Sequence, residues 1–183
     1  MQMRLLIALA LSLMTTPIMA QTCPALPDRS AERAELMTAV RDAPNYTANR
    51  EAVDRLWKHW RKAPDEKAQS LLDLGIRRRD EFSFKAAEAA LNELVAYCPN
   101  YSEGWNQRAF VYFLTKDYGR ALQDLEKALE ITPDHIAAMA GMVLTLTKLG
   151  RNRVAQKILR EALALNPYLP EKSLLVEPNG TDI

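Results

Sequence analysis

The amino-acid sequence predicts an all-α fold, an array of stacked helical pairs. Three observations predict it. First, the stretch KDYGRALQDLEKALEITP, Lys116 to Pro133, has counterparts 34 residues away on both sides. Ala121, Leu125, Ala128 and Pro133 fall on Ala155, Leu159, Ala162 and Pro167 one step later, and on Ala87, Leu91, Leu94 and Pro99 one step earlier. Second, each copy carries another apolar cluster upstream: Leu71, Leu74 and Gly75; then Trp105, Ala109 and Tyr112; then Met139, Val143 and Leu146. Third, a short turn separates the two clusters, RRDEFSF, LTKDYGR or TKLGRNR, with glycine in the latter two. Fixed self-similarity at this period marks units that bury their apolar faces against one another.

Residues 1–20 hold one charge, Arg4, and the run Leu5 to Met14 is apolar except for Ser12. Ile18-Met19-Ala20 then supplies a small-residue cleavage site. This is the layout of a secretory signal peptide, and its apolar core is short for a bilayer span. Cleavage after Ala20 is the expectation, with an uncleaved N-terminal anchor as the alternative. The residue directly before Cys23 is Thr22, not the small residue of a bacterial lipoprotein signal. Residues 21–29 read as a tail.

Residues 30–67 read as a degenerate helical pair. Met37 and Val40 occupy the apolar positions of its first helix, and Pro44 stops that helix. Val53, Trp57 and Trp60 fall where Ala87, Leu91 and Leu94 fall one step on, so the register puts both tryptophans in the core. Terminal units of such arrays are atypical, and this pair is expected to cap the array in frame with the unit that begins at residue 68. The units proper are 68–101, 102–135 and 136–169. Alanine recurs where helices within a unit, and between units, approach too closely for a larger side chain. Residues 170–183 form one capping turn, Pro170 to Val176, with Leu174 or Leu175 over the last unit, and then a tail.

The spacing resembles the tetratricopeptide repeat, a helix–turn–helix unit of 34 residues. The middle unit is the best match, with Trp105, Ala109 in place of glycine, Tyr112, Ala121, Leu125, Ala128 and Pro133. The first unit departs at Arg78, where tyrosine is usual, and the third at Val143, where glycine or alanine is usual. The resemblance implies a right-handed α-solenoid whose concave face, lined by the first helix of each unit, binds a protein or peptide. The candidate groove residues are Leu72, Ile76, Arg79, Asn106, Gln107, Phe110, Phe113 and Leu144. Some members hold a peptide's terminal carboxylate with Lys, Arg and Asn. The matching places here carry Gln107, Ala137 and Gly141, so that clamp is absent. Apolar anchors are expected to bind instead, with Asn106 and Gln107 on the ligand backbone and Arg79 at the edge.

Charge and composition narrow the classes further. Lys and Arg number 24 against 23 Asp and Glu, and removing residues 1–20 takes one arginine and no acid, leaving a neutral chain. Nucleic-acid binders carry a basic surplus, so none is expected as a partner. Arg77-Arg78-Arg79 reads as a solvated run paired with Asp80 or Glu81. The sequons at Asn45, Asn100 and Asn179 read as turn chemistry. There are 2 histidines, His59 on the solvated side of its helix and His135 at a unit junction, and no His/Cys spacing suits a metal. Neither a cofactor nor a catalytic residue is expected. Cys23 and Cys98 either form a disulfide in an oxidising compartment or remain two thiols. The reading that emerges is a non-catalytic scaffold of the bacterial periplasm, soluble after cleavage. The alternative is a small envelope enzyme or thiol-redox factor using Cys23 or Cys98.

Overall fold

The computed structural model describes residues 22–176; residues 1–21, with the expected signal peptide, and the last seven residues lie outside that range. Eight α-helices succeed one another among the described residues: α1 Ser30–Arg41, α2 Tyr46–Trp60, α3 Glu66–Asp80, α4 Phe84–Tyr97, α5 Ser102–Leu114, α6 Tyr118–Ile131, α7 Ile136–Lys148 and α8 Asn152–Leu165. A 3-10 turn over Pro170–Leu174 closes the array. The described residues contain no strand.

Local chemistry sets the boundaries. Asn45, Asp65 and Asp117 cap α2, α3 and α6, each side chain accepting the backbone N–H three residues on. The Ala68 N–H is the first reason the Asp65 carboxyl is held below its ordinary range, and the Tyr97 hydroxyl, donating at 2.6 Å, adds to it. The turns inside the three units share one geometry. Phe82, Lys116 and Gly150 stand 34 residues apart with φ of 58°, 65° and 72°. In each, the following N–H reaches back to the helix: Ser83 to Arg78 O, Asp117 to Tyr112 O, Arg151 to Leu146 O. This is the Schellman C-cap, whose left-handed position favours glycine. The glycine noted in the middle turn, Gly119, is not at that position; it lies inside α6.

The small residues of the repeat sit where the helices meet. Ala87, Ala121, Ala128, Ala155 and Ala162 are no more than 1% exposed. A Cβ added to Gly75 of α3 would stand 2.6 Å from Leu91 Cγ of α4. Around these approaches run two cores. One joins Ala68, Leu72, Leu91, Leu94 and Val111 to Cys98, and the other joins Ala109, Leu122, Leu125, Met142 and Leu146 across α5 to α8. Cys23 and Cys98 are bonded, closing a span of 75 residues and fastening the N-terminal tail to the end of α4.

The α1–α2 pair does not continue the stack ahead of α3. It folds back. α1 packs along α8, and a third core unites Leu36, Met37 and Val40 of α1, Ala52, Leu56 and Trp60 of α2, and Met139, Val143, Leu159 and Leu169 of the last unit. The physical reason is the apolar face that a last repeat leaves without a neighbour. Polar contacts fix the docking. Asn49 Nδ2 donates to Asn166 Oδ1 at 2.9 Å, and Arg33 Nη1 pairs with Asp134 at 3.0 Å. Trp60 stacks on His135 with ring centroids 4.0 Å apart, while its carbonyl accepts the Tyr101 hydroxyl at 2.8 Å. The two tryptophans therefore differ: Trp60 is buried, and Trp57 is half-buried. His59, expected on the solvated side, is also buried, its Nδ1 3.1 Å from Glu32 Oε2, because α1 covers that side of α2.

Candidate functional site

Folding α1–α2 back lays α2 across the concave side of the repeats. Between α2 and the first helices of the units lies a cavity of about 490 Å³, within the range of small-ligand pockets. Its repeat-side wall carries apolar side chains, Ile76 from α3, Phe110 and Phe113 from α5 and Leu144 from α7, beside the polar Arg79, Asn106 and Gln107. Phe110 is 45% exposed, an uncommon setting for a large apolar ring on a wall of this kind. The opposite wall comes from α2, with Val53, Leu56 and Trp57, and Tyr46 meets Tyr168 edge-on at 6.4 Å at one end.

Behind this wall sits a buried polar cluster. Glu103, with no exposure, accepts from Asn106 Nδ2 at 2.9 Å, from Gln107 Nε2 at 2.6 Å and from His135 Nε2 at 3.0 Å. His135 Nδ1 accepts the Ala138 N–H, so the ring carries its proton on Nε2, toward Glu103. A buried carboxylate with three donors is satisfied rather than reactive. Gln107 Oε1 in turn accepts from Arg79 Nη1, and the Arg79 guanidinium also pairs with Asp80 at 2.7 Å and lies 5.0 Å over the Phe110 ring. The wall is thereby held in one arrangement. On the far side of α5, Arg108 grips Asp124 with two bonds of 2.7 Å between the rings of Trp105 and Tyr112. Burial pushes the Asp124 carboxyl up from its ordinary value, against the pull of Arg108.

Of the eight groove residues named from sequence, seven line this cavity: Ile76, Arg79, Asn106, Gln107, Phe110, Phe113 and Leu144. Leu72 does not. It is wholly buried in the core shared by α3 and α4, to which Ile76 also belongs. The polar residues are also more engaged than expected. Gln107 spends both ends on Glu103 and Arg79, so the backbone-bonding role drawn for it does not match its contacts; Asn106 Oδ1 accepts no bond among the described residues. Sequence reasoning missed the whole α2 wall. A signal existed: α2 carries a second apolar pair, Val53 and Trp57, beside its core stripe of Ala52, Leu56 and Trp60. A second stripe needs a second neighbour. Among the described residues no cluster of His, Cys, Asp and Glu could hold a metal ion, and no helix is long and apolar enough to cross a membrane.

A profile of the tetratricopeptide repeat matches residues 101–167. The chain is also 29% identical over 108 residues to a TPR repeat-containing protein of Rhizobium etli, covering 59% of this chain and 53% of the relative. Residues 101–167 belong to the tetratricopeptide-repeat (TPR) family. The chain spans about half the length of that curated relative. Among solved structures, the fold is similar to the first TPR of Spaghetti (RPAP3) bound to the HSP90 peptide SRMEEVD, with a TM-score of 0.58 at 20% identity over 60% of this chain and 86% of that one. It is similar also to the Arabidopsis OM64 TPR domain, with TM-score 0.58, 19% identity and coverage of 60% and 90%. The TPR2B domain of yeast Sti1, in a complex described as with pHsp70, gives TM-score 0.55 at 19% identity over 60% and 87%. At these identities the likeness is one of fold: an all-α helical-repeat solenoid.

Proposed function

We propose that this protein is a non-catalytic interaction module of the bacterial periplasm that takes an apolar segment of a protein or peptide into the cavity between α2 and the repeats. The observation that carries the reading is the exposed Phe110 ring in an apolar cluster with Ile76, Phe113 and Leu144 on the cavity wall. Peptide-bound neighbours of the same fold support it, and the signal-like residues 1–20 motivate the compartment. Because α2 covers the concave side, the ligand enters as a short segment and not as a long strand threaded along the groove. Two or three buried anchors, at about 1.5–3 kcal/mol each and less the cost of ordering the peptide, give affinity on the order of micromolar.

The cystine supports no redox alternative: Cys98 is 1% exposed within the core of α3 and α4, the setting of a staple. The test is selection of a phage-displayed random peptide library on the mature chain. Apolar peptides with weak salt dependence are the expected yield, and Phe110→Ala is expected to weaken them about tenfold with little change in Tm. Peptides whose affinity ignores Phe110→Ala and Leu144→Ala, or collapses at moderate salt, would place the binding surface elsewhere.

A further inference from the structure

We propose that the edge formed by the three intra-unit turns docks on an anionic lipid surface. The observation that prompts this is Phe82. Its backbone holds the left-handed position at φ 58°, yet the side chain is 80% exposed, and its ring meets another aromatic ring only edge-on, that of Phe84 at 6.1 Å. The equivalent place in the third unit is Gly150, the relaxed choice, with nothing near its missing Cβ. Neither backbone ease nor packing accounts for a phenylalanine there. An apolar medium outside the protein does, since strained exposed positions gather where a molecule meets its ligand.

The neighbouring turns extend the pattern. The repeat period carries all three turns to one edge of the array. Along it Leu114, Leu149 and Val154 are 40%, 37% and 49% exposed. Cations outnumber acids around these turns. In the third turn, Lys148 to Val154, three stand with no carboxylate: Lys148, Arg151 and Arg153. Among the described residues none of these, nor Lys116, lies within ion-pair distance of an acid. The unpaired positive charge is gathered in the third turn, beside Leu149 and Val154. In the first turn Arg78 and Arg79 pair with Glu81 and Asp80 next to Phe82, and in the middle turn Arg120 pairs with Asp117. An edge with unpaired cations and protruding apolar side chains suits a headgroup layer, where the cations meet lipid phosphates and the tips enter the acyl boundary. Nucleic acid would use the cations and leave the aliphatic tips in water. This edge is separate from whatever the cavity binds.

The test is co-sedimentation of the mature chain, residues 21–183, with vesicles of phosphatidylglycerol and phosphatidylethanolamine, against vesicles of phosphatidylcholine alone. Binding to the anionic vesicles only, weakened by salt, is expected. Lys148→Glu, Arg151→Glu and Arg153→Glu together are expected to lower partitioning on the order of 100-fold. Phe82→Gly is the decisive variant, because it relieves the backbone: Tm is expected to rise while partitioning falls about tenfold. For a residue that served only the fold, Phe82→Gly would lower Tm and leave partitioning unchanged. Equal sedimentation with both vesicle types, none with either, unchanged partitioning of Phe82→Gly, or duplex DNA bound as tightly as the anionic vesicles would each overturn the proposal.

Discussion

The interfaces between successive repeats and the interface that closes the array on itself are built from different chemistry. Between and within the units, α3 to α8, contact is made by alanine and glycine against leucine, as where Gly75 meets Leu91 and where Gly104 lies near Leu94. The closure of α1–α2 onto α7–α8 uses aromatic rings and polar pairs: Trp60 on His135, Tyr46 on Tyr168, Asn49 with Asn166, Arg33 with Asp134. Small-to-large packing results from a period, because each unit must accept the next. Closure happens once. It can use any side chain that fits, and it fixes orientation by hydrogen bonds that a periodic surface could not restrict to one register.

The largest effect on this contrast is expected from Trp60→Ala. Trp60 is 7% exposed and joins both sides of the closure, so its removal should cost about 3–5 kcal/mol by denaturant unfolding. Trp57→Ala, at a half-buried cavity wall, should cost only about 1–2 kcal/mol. Hydrogen exchange should locate the Trp60 loss in α1 and α2 before α3 to α6; uniform loosening would mean the two interfaces are one cooperative unit.

The disulfide comes next. It ties the tail ahead of α1 to the end of α4 and so holds the closing pair to the repeats by a second route. Cys23→Ser with Cys98→Ser should cost about 2–4 kcal/mol, most of it as easier opening of α1–α2. Unchanged exchange in α1 would show that closure is held by its side-chain contacts alone.

A repeat-side variant sharpens the comparison from the other direction. Gly75→Ala puts a methyl 2.6 Å from Leu91 Cγ and should cost about 1–3 kcal/mol, with the loss appearing in α3 and α4 first. Equal loosening of α1 would erase the distinction between the interfaces.

These differences also explain what could be read from the residues. The three units, their small-residue contacts and seven of the groove residues are legible because a 34-residue period repeats the same constraint three times. Leu72 is misplaced by that period because register identifies a helix but not which of two buried faces a position takes. The fold-back of α1–α2, and with it the cavity's second wall, is not legible, since Asn49 meets Asn166 across 117 residues with no periodic partner. His59 escapes for the same reason: its cover, α1, belongs to the non-repeating part. The left-handed turn place is obscured by Phe82 and Lys116, which stand where only the third unit has glycine.

The smallest predicted effect concerns that same cover. Burial, first of all, holds the His59 imidazole below its ordinary value, with Arg29 and Lys62 adding to this and Glu32 opposing it. The ring lies 3.1 Å from Glu32 yet makes no well-aligned hydrogen bond at Nδ1, so the carboxylate does not restore the proton that burial disfavours. Linkage gives the sign. In the unfolded chain this histidine takes up a proton near pH 6.5; in the folded chain it does so only at lower pH. As pH falls through about 6.5, the unfolded state binds more protons and stability declines. His59→Gln removes that difference. Its Tm should sit below that of the native protein at pH 8 and draw closer to it toward pH 5.5, whereas Trp57→Ala, on the open side of α2, should keep a constant offset across the same range. If the His59→Gln and native curves instead run parallel, the histidine is solvated in solution and α1 does not cover α2 as described.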